Sequence, residues 1–135
     1  MRRRARLVVL ALATLGAGGC SDRGSDPAAP GGGGPTPVSY AAEVQKIWND
    51  HCIGCHGDNA GLDLAAPGSR ANLVGVASTN WGGVRVAAGD PAASVLYRKI
   101  SGDSGVGDRM PQGGALATDD IETVRRWIAE GALDN

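Results

Sequence analysis

Cys52-Ile53-Gly54-Cys55-His56 is the stretch on which the reading of this chain turns. Two cysteines three residues apart point to the same side of a helical turn. Their sulfurs therefore face one partner, and the imidazole of His56 follows directly beneath its centre. Cys-x-x-Cys-His in this order is the attachment signature of c-type haem, in which the thiols add across the porphyrin vinyl groups and the histidine meets the iron.

The residues just before the motif decide how it is presented. Tyr40, Val44, Ile47, Trp48 and His51 recur at helical spacing, which predicts a helix with one apolar face running straight into Cys52. That period counts against a thioredoxin-like redox pair, which needs a strand leading into a helix. A structural zinc site would have to be built from His51, Cys52, Cys55 and His56, too crowded to close a tetrahedron. A simple disulfide between the two cysteines is the remaining alternative.

Downstream, residues 57–89 are glycine-rich and irregular, with one short helical turn expected near 71–76. Asp90-Pro91 predicts a cap followed by proline at the first helical position, opening a helix with Ala92, Val95, Leu96 and Ile100 on its apolar stripe. Residues 101–117 contain several glycines and Pro111 and read as loop. Thr118-Asp119-Asp120 is expected to cap a last helix that buries Ile121, Val124 and Ile128 and stops at Gly131. No alternating strand pattern is present. The fold class expected is all-α, with three to four helices and long glycine-rich loops around one covalently bound haem.

Composition narrows the second axial ligand. His51 adjoins Cys52 on the side of His56 and cannot cross to the other face of the ring; it reads as a partly exposed helix residue. No third histidine exists among the 2 present, and of the 2 methionines one is the initiator. Met110 lies in Arg109-Met110-Pro111-Gln112-Gly113-Gly114, a turn-rich loop rather than the packed helix stripe where methionine usually serves as filler. His56 and Met110 are therefore the candidate iron pair. Such ligation fills both axial positions and raises the reduction potential relative to two nitrogen donors, which favours electron transfer over substrate chemistry.

The beginning of the chain has another purpose. Arg2, Arg3, Arg4 and Arg6 precede the apolar run 7–15 and the small residues before Cys20, the pattern of an export signal over residues 1–19 and too short for a membrane span. Cys20 resembles the lipidated cysteine of bacterial lipoproteins, and residues 20–37 read as a lipid anchor and flexible linker. Ordinary cleavage that leaves Cys20 a free thiol is the competing reading. The domain is then 38–135. The whole chain has a net charge of −1, which argues against nucleic acid as a partner. Removing 1–19 takes four of the 13 basic groups and none of the 14 acidic ones, leaving −5. An acidic carrier is steered toward a basic docking patch on a redox partner.

Taken together, Trp48, the Cys52–His56 motif, Gly89-Asp90-Pro91 with the helix through Ile100, Met110-Pro111-Gln112-Gly113-Gly114, and the terminal segment Ile121 to Gly131 resemble a class I cytochrome c, and more narrowly the planctomycete-type domains. The resemblance implies a monohaem one-electron carrier without substrate chemistry of its own, monomeric, exported to the periplasmic side and tethered to a membrane through lipid. It also implies that first and last helices cross, with Trp48 and Trp127 at the crossing. Pro67 is the candidate for the carbonyl that orients the His56 ring. Tyr97 either aims its hydroxyl at the Met110 sulfur or packs in the core. Trp81 is either a cover for the haem edge or a loop anchor, and Arg85 and Arg109 are either propionate partners or solvated. A periplasmic thiol–disulfide oxidoreductase using Cys52 and Cys55, and a haem-based ligand sensor, are the other functional readings.

Overall fold

The computed structural model describes residues 36–57 and 61–135. The expected export signal, the Cys20 anchor and nearly all of the linker lie outside the described residues. The chain enters at Ser39, whose hydroxyl accepts from Ala42 N–H and opens a wide π-helical turn, Tyr40–Val44. This turn continues into α1, Gln45–His51. Cys52 breaks the helix at φ −123° and ψ −38°, and a single further turn, α2, covers Ile53–His56. A third helix, α3, spans Val95–Ser101, and the last, α4, spans Thr118–Ala129. A 3-10 turn at Ser104–Val106 lies between them.

The fold is all-α, as expected from the sequence. Among the described residues no strand forms: residues 74–94 are held by isolated bridges, Val74 with Val86, Ala77 with Val84, Val84 with Ser94 and Ala87 with Asp90. The core lies where the first turn, α1 and α4 meet. Val44, Trp48, Val124, Trp127 and Ile128 are fully buried there. Burial of this apolar face, rather than helix propensity, stabilises such short helices. Among the described residues no helix is long and apolar enough to cross a membrane.

Trp48 and Trp127 are both fully buried in one core cluster, and Tyr40 joins them, its ring centroid 5.0 Å from that of Trp127 with planes tilted by 41°. Two local expectations change. Helix α3 begins at Val95, later than Asp90-Pro91 suggested. The Asp90 carboxylate accepts from Ala93 N–H at 3.0 Å and closes a turn, and Ser94 Oγ both accepts from Ala87 N–H and donates to Asp90 C=O. Ala92 is exposed as a result. Thr118 is the first residue of α4 rather than its cap, which is Ala117.

The ends of the domain are sewn together. Ala41 N–H donates to Asn135 C=O at 2.9 Å, Tyr40 N–H to Asn135 Oδ1 at 2.8 Å, and Val38 N–H to Glu130 Oε2 at 2.7 Å. These bonds satisfy donors that the start of a helix otherwise leaves open.

Candidate functional site

A cavity of about 650 Å³ opens beside the motif, within the ~300–1,000 Å³ range of ligand sites. Trp48, Leu64, Leu73, Leu96 and Ile100 supply apolar wall. Cys52, His56, Met110 and Trp81, named from the sequence, line the same space.

The motif is positioned through its backbone. Cys52 N–H closes α1 on Trp48 C=O at 2.8 Å, while the Cys52 carbonyl receives both Cys55 N–H at 3.1 Å and His56 N–H at 2.9 Å. Leu64 N–H then donates to His56 C=O at 2.7 Å, drawing the following loop under the histidine. Leu64 is in turn anchored on α1, because Gln45 Nε2 donates to its carbonyl at 3.0 Å. Among the described residues the Nδ1 atom of His56 is buried without a hydrogen-bond partner. Buried polar atoms are nearly always satisfied, so an orphan here indicates a site completed by a group other than the polypeptide.

Met110 arrives from the loop after α3, and the helix end holds it. The carbonyls of the last helical turn have no intrahelical partners. Gly102 N–H and Asp103 N–H take the Arg98 carbonyl at 3.1 and 2.9 Å, Met110 N–H takes Lys99 C=O at 3.0 Å, and Arg109 Nε takes Ile100 C=O at 3.0 Å. Gly102, at φ 86°, makes the left-handed turn that lets the chain fold back.

Trp81 is 43% exposed, lines the cavity and presses on Gly107, where a Cβ atom would come within 2.4 Å of Trp81 Cη2. It is both an anchor of the 107–110 loop and part of the cavity wall. Arg85 lines the cavity as well, but its guanidinium is engaged by Asn72 C=O at 2.8 Å and Gly61 C=O at 2.9 Å.

Three sequence-named pocket residues sit elsewhere. Pro67 is exposed on the turn after Leu64 and does not line the cavity; the chain leaves His56 through the Leu64 amide, which carries Pro67 past the ring. Tyr97 packs against the core and faces α4, near enough to act on Arg125, so its hydroxyl is not in the cavity. Arg109 is drawn off to the Ile100 carbonyl. The cavity residues that sequence reasoning missed, Leu64, Leu73 and Lys99, left little trace: the first two sit in an aperiodic stretch, and a lysine on an amphipathic helix reads as solvated.

Cys52 and Cys55 are free thiols, the first half-buried and the second exposed. Burial, with a smaller contribution from Cys55, pushes the Cys52 thiol up to about 11. A thiol oxidoreductase needs the opposite, a thiol held low enough to attack as thiolate. Among the described residues no group of three or more His, Cys, Asp or Glu side chains is placed to hold a metal ion, which leaves the zinc reading without a cluster. Cys52, His56 and Met110 line the apolar cavity, and Cys55, exposed and outside its lining, follows Cys52 in the same turn; this donor set fits a covalently attached haem.

Compared with protein-family models, residues 41–131 match that of cytochrome c. Neither a search of curated proteins nor one of solved structures yields a match.

Proposed function

This chain belongs to the cytochrome c family, a haem-based electron carrier rather than a substrate-converting enzyme, and from that premise we propose that it is a monohaem carrier with His56 and Met110 as axial ligands. Cys52 and Cys55 would form the thioethers. The observation that carries the proposal is that Met110, far along the sequence from the motif, lines the same cavity as Cys52 and His56.

The bound haem supplies a one-electron ferric–ferrous couple. The chain's own residues do the rest. Leu64 and Gln45 hold the His56 backbone from below, the end of α3 holds the Met110 backbone, and Leu73, Leu96 and Ile100 keep water from the interior. Held by His56 and Met110, the iron would have no position left for a substrate, and a neutral thioether would set a higher potential than a second imidazole. Trp81, partly exposed at the cavity wall, supports a reading in which electrons would enter and leave on its side.

The chain is exported, as cytochrome c domains generally are. We further propose a planctomycete-type domain over 38–135, tethered through lipid on Cys20 by the linker 20–37 after removal of residues 1–19. The tethered, acidic carrier would dock on a basic patch of a membrane or periplasmic redox partner. A Cys20→Ala variant should move from the membrane to the soluble fraction.

The central test is spectroscopic. Haem that survives denaturing electrophoresis and a red-region methionine–iron charge-transfer band in the ferric protein, lost in Met110→Ala, are the expected results. An unchanged band in that variant would sink the Met110 assignment. Displacement of Met110 by a trace of a gaseous ligand such as carbon monoxide, at concentrations far below those at which imidazole competes and without loss of the fold, would instead favour the sensor reading.

A further inference from the structure

We propose that Lys99 and Trp81 form a clamp on the Met110 loop, and that Lys99 is a positioning residue for the Met110 sulfur. Lys99 meets the loop twice. Its carbonyl accepts Met110 N–H at 3.0 Å, and its ammonium donates to Asp108 C=O at 3.1 Å. The same ammonium lies 4.2 Å from the centroid of the Trp81 ring. Trp81 in turn covers Gly107, with no room for a side chain between them. Residues 107, 108 and 110 are thus each held by one member of the pair, and all five residues line the same cavity.

The loop has need of such a hold. It is glycine-rich and carries little regular hydrogen bonding of its own beyond Gly114 N–H to Pro111 C=O at 3.2 Å. A thioether is a weak, neutral ligand, and its bond to iron competes with any small molecule that enters when the loop lifts away. Restricting the loop beforehand lowers the entropy cost of ligation. A lysine suits the task because one ammonium can serve a carbonyl and an aromatic face together, whereas a neutral side chain of the same length gives up the ring interaction.

The inference rests on the axial ligation proposed above, and its test separates the two. In the haem-loaded ferric protein, imidazole is titrated as a competing ligand while the methionine–iron band is followed. Lys99→Leu and Trp81→Leu should each bind imidazole about tenfold more tightly than wild type and show a weakened band, given the hydrogen bond and cation–π contact removed. Lys99→Arg restores cation and donors and should stay within about threefold of wild type. If wild type lacks the band, or Met110→Ala keeps it, the ligation falls and takes the clamp with it. If Met110→Ala abolishes the band while Lys99→Leu retains both the band and wild-type imidazole affinity, the clamp alone is overturned. Lys99 is half-buried and stands outside the packed core, so its variants remain informative even should Trp81→Leu fold poorly.

Discussion

The indole N–H of Trp48 donates to the hydroxyl of Tyr40 across 3.2 Å, inside the core. The same hydroxyl donates to Ser69 Oγ at 2.7 Å, and Ser69 donates onward to Gln45 Oε1 at 2.5 Å. Gln45 closes the chain on the Leu64 carbonyl. A run of buried polar groups thus ties the first helix to the segment that passes beneath His56, and each group is satisfied by the next. Such networks set register at high stakes, because losing one member strands its neighbours.

Tyr40→Phe keeps the ring that packs on Trp127 and removes only the oxygen. It leaves the Trp48 donor and the Ser69 hydroxyl short of a partner, at a cost of about 1–3 kcal/mol. Urea unfolding of the haem-loaded variant measures the loss, and the methionine–iron band should be unchanged, since no ligand has moved.

Gly107→Ala and Gly113→Ala form a matched pair. Both positions have positive φ, 72° and 77°, which strains any side chain, and Gly107 at ψ −153° lies in a region essentially reserved for glycine, so its strain is the larger. Only at Gly107 does the new methyl group also collide with Trp81; nothing lies within 4 Å at Gly113. The first variant should lose more stability than the second and shift its tryptophan fluorescence, while the second leaves the emission where it was.

Acid should loosen the join between the two ends of the domain. The Val38 N–H, together with Arg126, holds the Glu130 carboxyl below its ordinary value of 4.5. A lowered pKa contributes stability that is present above the unfolded-state value and is lost as pH falls through the folded-state one. Urea midpoints followed from neutral pH downward should therefore fall more for wild type than for Glu130→Gln once the carboxylate range is reached. Parallel curves would show that this carboxylate is not a source of the acid sensitivity.

Without haem the domain should not hold a fixed tertiary structure. The core is small and contains no Phe, and Leu64, Leu73, Leu96 and Ile100 face a cavity of about 650 Å³. Small domains gain little net stability from burial alone. Protein in which Cys52 and Cys55 are replaced by alanine, so that no haem attaches, is expected to lack near-ultraviolet circular dichroism and a cooperative melt.

The parts of this architecture written in local pattern were legible before any coordinates. The helical period from Tyr40 to His51, the stripe of α4 and the five-residue motif depend on neighbours in sequence. What escaped depends on contacts between segments. Pro67 has a plausible spacing from His56, but the amide of Leu64 reaches the histidine backbone first. Tyr97 shares an amphipathic helix with residues that face both the cavity and α4, and only packing decides between them. Lys99 looks like any solvated lysine until the loop beyond the helix folds back over it.

The wall of single bridges between residues 74 and 94 has a kinetic side. Each amide there is shielded by one bond, such as Gly75 to Val86 at 2.9 Å or Arg85 to Val76 at 2.7 Å, with no ladder to make neighbours open together. In hydrogen exchange these amides should trade their protons one by one through small fluctuations, while those around Val124 and Ile128 wait for global unfolding. The bridged wall beside the cavity therefore breathes on its own, while the core packed on α4 stays closed until the whole domain opens.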